Sequence, residues 1–216
     1  MSHIRTRLKP GFVGPCLPHP SKELPGAGWI HEIKHDGFRI MARRDGKRVR
    51  LYTRNGYDFA DRFPQIVEAI SNLPVQSCFI DGETIVVDEH GLSVFDLLRY
   101  RCHDHAAVLC AFDLIELNGD DLRPLPIEDR KDRLGKLLHP ARRSQASIML
   151  NEHYEGDGVL IYKHVCKFGC EGIVSKRLGS PYRSGRSDHW LKTKNPMAPA
   201  VRREAEEAWG RHRNSR

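Results

Sequence analysis

The stretch that organises this chain spans residues 32–39 and reads Glu-Ile-Lys-His-Asp-Gly-Phe-Arg. It places Lys34 at the junction of two predicted strands, three residues before Gly37. A lysine acts as a nucleophile only after it loses a proton, which requires cationic neighbours, desolvation or a nearby metal. Taken alone, the stretch fits a charged surface turn equally well. Its interpretation therefore depends on the segments around it.

Strand patterns follow this stretch directly. Residues 37–44 and 48–54 are predicted strands, and Asp45-Gly46 between them is typical of a tight hairpin turn. Residues 78–80 and 84–87 are also rich in β-forming side chains, and Asp81-Gly82-Glu83 separates them. The pattern therefore predicts a hairpin followed by two short strands.

Helices are predicted where apolar residues recur every three to four positions. They are a helix that begins near Pro64, one over residues 127–138 and one over residues 159–168 that stops at Gly169. Further strands are predicted at residues 108–117, 172–175 and 190–194. After Lys194, Pro196 and Pro199 are expected to break regular structure, and an arginine-rich segment is helical at most around residues 205–209.

Composition narrows the class of protein. The 216 residues include 35 Lys and Arg against 28 Asp and Glu, a formal charge of +7 that favours a polyanionic partner. The longest apolar run, residues 106–112, is far shorter than the roughly 20 residues of a membrane helix, which argues against a membrane or secreted protein. Six cysteines without a Cys-x-x-Cys pair indicate a reducing, cytoplasmic compartment.

Five further segments follow residues 32–39 in a fixed order. They are Thr53-Arg54-Asn55-Gly56, Phe79-Ile80-Asp81-Gly82-Glu83, Ala111-Phe112-Asp113, Glu171-Gly172-Ile173-Val174-Ser175-Lys176 and Trp190-Leu191-Lys192-Thr193-Lys194. Together these six segments resemble the motifs of the covalent nucleotidyltransferases. The chain resembles the ATP-dependent DNA ligases in particular, and within them the ligase module of bacterial end-joining ligase D, over residues 10–194.

The resemblance implies both a fold and a reaction. The expected fold is α+β, an ATP-grasp-like nucleotidyltransferase domain with antiparallel sheets flanked by helices and the nucleotide in the cleft between them. The expected boundaries are residues 1–194 for this adenylation domain and residues 195–216 for a basic tail. The expected function is ATP-dependent sealing of DNA breaks in repair and recombination, with AMP carried first on Lys34 and then on a 5′-phosphate.

The resemblance also implies a role for each nucleotide-binding residue. These are Lys34 as the nucleophile, Glu32 for the adenine amino group, Phe112 for stacking on adenine, Glu83 for the ribose hydroxyl, Arg39 and Arg54 for nucleotide or nick phosphate, and Lys176, Lys192 and Lys194 for the α-phosphate. Strand alternation independently predicts that Lys192 and Lys194 share a face. Phe112 could instead be a core residue, and Asp81 and Asp113 could fix turns.

A metal and a DNA surface complete the prediction. Glu171 offers a hard oxygen ligand for Mg²⁺ or Mn²⁺, which phosphoryl chemistry at an ATP α-phosphate requires. Sequence-independent contacts with DNA nicks or ends are expected from four arginines: Arg43, Arg44, Arg183 and Arg186. An end-binding protein such as Ku is a possible partner.

The sequence also allows other interpretations of its function and of two of its motifs. Residues 195–216 are too short for the C-terminal OB-fold of complete ligases, so an accessory DNA-end-binding module of low activity is one alternative. An RNA ligase or capping-type enzyme is another, because both use the same lysine chemistry. Cys102-His103-Asp104-His105 with Cys110 has zinc-ligand residue types, but the spacing fits no standard site. The Gly-rich segment at residues 179–187 departs from a phosphate-binding loop and is interpreted as a basic loop.

Overall fold

The structure, a computed structural model, describes residues 11–139 and 147–213. These residues form eleven strands: β1 (Cys16–Pro20), β2 (Trp29–Ile33), β3 (Phe38–Asp45), β4 (Arg48–Thr53), β5 (Ser77–Ile85), β6 (Val108–Leu117), β7 (Asp120–Asp121), β8 (Ile148–Leu150), β9 (His153–Tyr154), β10 (Gly172–Arg177) and β11 (Gly185–Lys194). They also form five α-helices: α1 (Pro64–Ser71), α2 (Phe95–Arg99), α3 (Ile127–Leu138), α4 (Gly158–Lys167) and α5 (Pro199–Arg213). Residues 1–10 of the expected domain and 214–216 of the expected tail lie outside the described residues.

The strands build two sheets. One follows the order β4-β3-β5-β6-β7, with β8 added beside β6, and the other follows β1-β11-β10-β2-β9. All pairs are antiparallel except β1 with β11 and β6 with β8. This architecture confirms the α+β prediction with antiparallel sheets and helices. Among the described helices, none has the length and apolar character needed to cross a membrane.

Two apolar clusters hold the layers together. One lies on the helix-covered face of the first sheet, where Ile40 and Leu51 pack with Ile66 and Ile70 of α1 and Leu134 of α3. The other joins the two sheets through residues that include Met41, Phe79, Ile115, Ile30 and Trp190. Because the second cluster fills only part of the space between the sheets, a cleft remains along the inner face of both.

The predicted break at residues 81–83 is wrong, because β5 is continuous from Ser77 to Ile85. Gly82 allows this strand to approach β6 closely, since a Cβ atom there would lie 2.7 Å from the Leu109 side chain. Asp81 and Asp113 do not fix turns. Each lies inside a strand and is fully buried, paired with Arg39 at 2.6 Å and with Arg130 at 2.7 Å respectively. The sequence left this alternative open because buried ion pairs and turns use the same residue types.

The segment after Lys194 is also more ordered than predicted. Pro199 begins α5 rather than breaking it, as a proline can in the first turn of a helix, where its missing N–H has no partner to lose. Arg203 Nη2 donates to Asp36 Oδ2 at 2.6 Å, and Glu207 pairs with Arg99. These contacts dock α5 beside the strand junction that carries Lys34.

Candidate functional site: a cationic cleft between the sheets

Lys34 lies immediately after β2 and continues its pairing with β10, since its backbone N–H donates to the Gly172 carbonyl at 2.9 Å. Paired residues of antiparallel strands point to the same face. Glu32, Val174 and Lys192 therefore form one row across β2, β10 and β11, and Ile30, Lys176 and Trp190 form the next. The alternation predicted for Lys192 and Lys194 is observed, because the intervening Thr193 is buried on the other face.

The cleft is lined by both sheets. From those rows the second sheet contributes Glu32, Val174, Lys176 and Trp190. The first sheet contributes Arg39 of β3, Glu83 of β5 and Phe112 of β6. The lining residues are Pro18, Glu32, Ile33, Lys34, His35, Arg39, Glu83, Phe112, Asn151, Val174, Lys176 and Trp190. Six of the predicted nucleotide-site residues therefore share one concave surface.

The outer end of the cleft, around Lys34, contains a lysine and a carboxylate in direct contact. Lys34 Nζ donates to Glu171 Oε2 at 2.5 Å, and Lys194 Nζ lies 3.7 Å from Oε1 of the same carboxylate. Glu171 is 3% exposed, so desolvation raises its pKa although Lys34 opposes the shift. The Lys34 side chain keeps 21% of its surface exposed, which leaves it accessible from the cleft.

The residues around Glu171 fit a metal that takes most of its ligands from the substrate. Glu171 Oε1 is buried and has no hydrogen-bond partner in the described part of the chain. No cluster of three His, Cys, Asp or Glu side chains able to hold a metal occurs there either. Mg²⁺ is commonly bound through one or two carboxylates plus phosphate oxygens and water, and one carboxylate is what this site supplies.

The described structure gives no support to a zinc site formed by residues 102–105 and Cys110. Asp104 is engaged by Arg62, whose Nε lies 2.8 Å from Oδ2, and the His103 and His105 rings stack on each other. Cys110 is buried in β6.

The inner end of the cleft holds a buried carboxylate between two lysines. Glu32 is 2% exposed, with Oε1 2.6 Å from Lys131 Nζ and Oε2 2.7 Å from Lys176 Nζ. Sequence reasoning missed Lys131. The sequence signal that could have revealed its buried partner was its position on the apolar face of α3, four residues after Ile127 and three before Leu134. An unpaired charge on that face would be costly.

Phe112 is both a core residue and a cleft residue. Its ring is 6% exposed and joins the cluster between the sheets, yet it also lines the cleft. Arg39 Cζ and Lys176 Nζ each lie 4.4 Å from its centroid, and Trp190 meets it edge-on at 6.1 Å. Burial lowers the pKa of Lys176 to about 8, with Glu32 opposing the shift.

Arg39 is held by a network that also reaches the basic loop. Its guanidinium forms a two-pronged contact with Asp81, at 2.6 and 2.7 Å, and Tyr182 Oη donates to Asp81 Oδ2 at 2.6 Å. Glu83 stands beside Arg39 in the cleft, and burial raises its pKa to about 7. The network ties the segment around Tyr182 to the floor of the cleft.

The remaining predicted arginines lie outside the cleft. Arg54 is exposed on the turn after β4, and Arg183 and Arg186 are exposed on the loop and strand after Tyr182. Arg43 is 9% exposed, with Cζ 5.2 Å from the Phe79 ring. Arg44 donates to the carbonyls of Leu73 at 2.6 Å and Ile70 at 3.3 Å, so it caps the end of α1.

Comparison with known proteins places this geometry in context. The family model described as ATP dependent DNA ligase domain matches residues 18–194. The chain is 36% identical over 188 residues to the multifunctional non-homologous end joining protein LigD of Pseudomonas aeruginosa, covering 86% of this chain and 22% of that protein. The chain thus spans about a fifth of the length of that relative.

Two solved structures show the same fold. The ligase domain of Mycobacterium tuberculosis LigD superposes with a TM-score of 0.71 at 30% identity, covering 84% of this chain and 60% of that one. A mycobacterial DNA ligase D complexed with ATP and MES gives a TM-score of 0.70 at 29% identity, with the same coverage. The motif order, the cleft geometry and these matches agree, and the chain belongs to the ATP-dependent DNA ligase domain family.

Proposed function

We propose that this chain is the adenylation part of an ATP-dependent DNA ligase and takes part in sealing DNA strand breaks. Lys34 Nζ attacks the α-phosphorus of ATP, so that a P–N bond forms, the bond to the β-phosphate oxygen breaks and pyrophosphate leaves. The AMP then passes to a DNA 5′-phosphate, and a 3′-hydroxyl displaces it to form the phosphodiester. The observation that carries the proposal is Lys34 at the cleft wall, 2.5 Å from a buried carboxylate.

The cleft residues divide the work along the nucleotide. In this proposal, Glu32 and Phe112 of the cleft bind the base, Glu83 binds the ribose, and Arg39 and Lys176 bind the phosphates together with Lys192 and Lys194 of β11, while Arg54, outside the cleft, contacts the nick. Lys34 must be deprotonated to attack, and Glu171 Oε2 is the atom positioned to take its proton. Mg²⁺ or Mn²⁺ held by Glu171 would offset the charge that develops on the phosphates.

The proposal also covers the domain boundaries, the repair pathway and the cellular compartment. Residues 1–194 would form the adenylation domain and residues 195–216 a basic appendage. The name of the LigD relative supports an end-joining pathway, and we extend the proposal to an end-binding partner such as Ku. A reducing, cytoplasmic compartment fits six cysteines that are all free.

The test is adduct formation followed by nick sealing. The purified chain is incubated with Mg²⁺ and α-labelled ATP or GTP, resolved on a denaturing gel, and then assayed on nicked duplex DNA. An acid-labile AMP adduct together with sealing supports the proposal. A GMP adduct would indicate a capping-type enzyme instead, and DNA binding without any adduct would indicate an accessory module.

We expect DNA contact from exposed arginines outside the cleft. Arg183 and Arg186 are exposed, whereas the contacts of Arg43 and Arg44 within the fold make these two secondary candidates. Affinity should fall steeply between about 50 and 200 mM salt, and replacing each contacting arginine should reduce the salt slope by about 1. The exposed Arg133 of α3 provides a control, since R133A should leave the slope unchanged.

A further inference from the structure

Lys131 stands at the inner end of the cleft with every donor already used. It is 3% exposed, and its ammonium donates to Glu32 Oε1 at 2.6 Å and to the backbone carbonyls of Asn151 at 3.0 Å and Phe112 at 3.4 Å. An ammonium has three protons, so none remains for a ligand. Lys131 can therefore influence a substrate only through the groups it holds.

Glu32 is the group through which such an influence reaches the cleft. Its two oxygens each accept from one lysine, and a carboxylate offers about four lone-pair sites, so acceptor capacity remains on the cleft side. Both oxygens accept from ammonium groups, which can only donate, so the carboxyl group presents acceptor atoms at both positions. Glu32 is thus held as a fixed acceptor that cannot donate.

The surroundings of Glu32 define what it can accept from. Phe112, Trp190 and Val174 line the cleft beside it, and they form an apolar wall of a kind that suits a flat heterocycle. A carboxyl group held as an acceptor in that setting pairs with an exocyclic amine. A carbonyl at the same position would leave it unpaired, because two acceptors would then face each other.

We propose that Lys131 is a positioning residue for nucleobase selection, which fixes Glu32 as an acceptor so that the cleft takes a purine with an amine at C6 and rejects one with a carbonyl at C6. The inference rests on the proposed function. It adds a residue of α3, outside the six motifs, to the machinery that distinguishes ATP from GTP.

The neighbouring residue offers a matched control. Arg130 lies on the same helix, is fully buried and pairs with Asp113 at 2.7 Å, yet it does not line the cleft or contact Glu32. If Lys131 merely satisfied a buried charge, removing either residue would have the same kind of effect. If Lys131 acts through Glu32, only its removal changes the choice of nucleotide.

The experiment measures self-adenylylation with ATP and with GTP for wild type, K131Q, K131R and R130M. The amide of K131Q keeps two N–H donors on a side chain one atom shorter, but it carries no charge. We expect K131Q to raise the KM for ATP about tenfold, change kcat at saturation less than threefold, and lower the ATP-to-GTP ratio of kcat/KM at least tenfold. K131R should restore most of the ratio, and R130M should lower the melting temperature while leaving the ratio unchanged.

A second readout separates positioning from simple destabilisation. The charged groups around Lys176 are Glu32, Lys131 and Asp113, and repulsion from Lys131 contributes to its lowered pKa. The alkaline limb of the ATP rate profile, near pH 8 in the wild type, should therefore move to higher pH in K131Q.

Several outcomes would overturn the inference. An unchanged ratio in folded K131Q, or an equal change in R130M, would do so. If K131Q does not fold, K131R is the deciding variant. We expect K131R to keep the ATP-to-GTP ratio while its KM for ATP shifts, and a collapse of that ratio would contradict the proposal. A wild-type chain that forms no adduct would overturn the proposed function itself, whereas an active wild type with an insensitive K131Q would overturn only this inference.

Discussion

At the inner end of the cleft, Glu32, Lys131 and Lys176 are 1–3% exposed, whereas at the outer end the side chains of Lys34 and Lys194 keep 21% and 27% of their surface in contact with solvent. The inner charges are held by two short ion pairs and by backbone carbonyls. The outer cations share one carboxylate, Glu171, whose second oxygen has no hydrogen-bond partner among residues 11–139 and 147–213.

This difference separates recognition from reaction. A site that selects a base benefits from groups that do not move, because preorganised partners cost no reordering when the ligand binds. The nucleophile that we propose at Lys34 must exchange a proton, attack and later release its adduct, so it needs the freedom to leave Glu171. The inner end is therefore built for fixed geometry and the outer end for rearrangement.

The largest expected effect comes from removing the nucleophile at the outer end. K34A should reduce the lysyl-AMP adduct to below detection while the chain stays folded, because a partly exposed lysine contributes little packing and Lys194 still offsets Glu171. Adduct formation on a denaturing gel and a melting curve are the two measurements. The exposed Lys136 gives a control in K136A, and an adduct that persists in K34A would contradict the assignment.

Glu171 should rank next, since it joins the two outer cations. E171A is expected to lower the adenylylation rate by about 10² to 10³ at every Mg²⁺ concentration, and E171D should retain part of the activity. Chelation of the metal should abolish the adduct in the wild type. E155A, on an exposed glutamate, is the control. Wild-type rates in E171A would mean that another group performs this role.

The two ends also differ in how far sequence could predict them. The outer residues occupy short motifs, and the single-residue alternation of β11 was enough to place Lys192 and Lys194 on one face. The hairpin of β3 and β4 and the span of α3 were predicted because turn residues and apolar spacing are local signals. The family resemblance then supplied the arrangement of the two sheets.

The inner end depended on pairings that no local pattern contains. Lys131 meets Glu32 across 99 residues of sequence, and Tyr182 meets Asp81 across 101. Only the folded chain shows that Lys131 neutralises Glu32 and that Tyr182 donates to Asp81 in the core. The same limit explains why a turn role for Asp81 stayed open as an alternative and why the docking of α5 through Arg203 was not foreseen.

Glu83 lies between the two ends of the cleft, and its pH dependence tests whether this middle part has fixed geometry like the inner end. Burial raises its pKa from 4.5 to about 7, so the wild type should bind ATP about fivefold more tightly at pH 8 than at pH 6, as a carboxylate accepts a ribose hydrogen bond better than a carboxylic acid. The folded state binds the proton more tightly than the unfolded state, so this group lowers the free energy of unfolding as pH rises from 4.5 to 7. E83Q should flatten both trends, and an unchanged pH profile in E83Q would assign them elsewhere.

The smallest effect is expected at Arg203, where α5 meets the outer end. Its guanidinium pairs with Asp36 at 2.6 Å and lies 4.9 Å from the Phe95 ring, but its side chain is 23% exposed. Solvent screening limits such a pair to about 1 kcal/mol or less, so R203A should lower the free energy of unfolding by no more than that and change the adenylylation rate less than threefold. Both differences from wild type, in the free energy of unfolding and in the adenylylation rate, should shrink as the salt concentration rises from about 50 to 500 mM. The reason is that salt screens the ion pair. R202A, on an exposed neighbour, should match wild type throughout. If R203A instead abolished adenylylation, the outer end would be as rigidly determined as the inner end, and the contrast between them would fail.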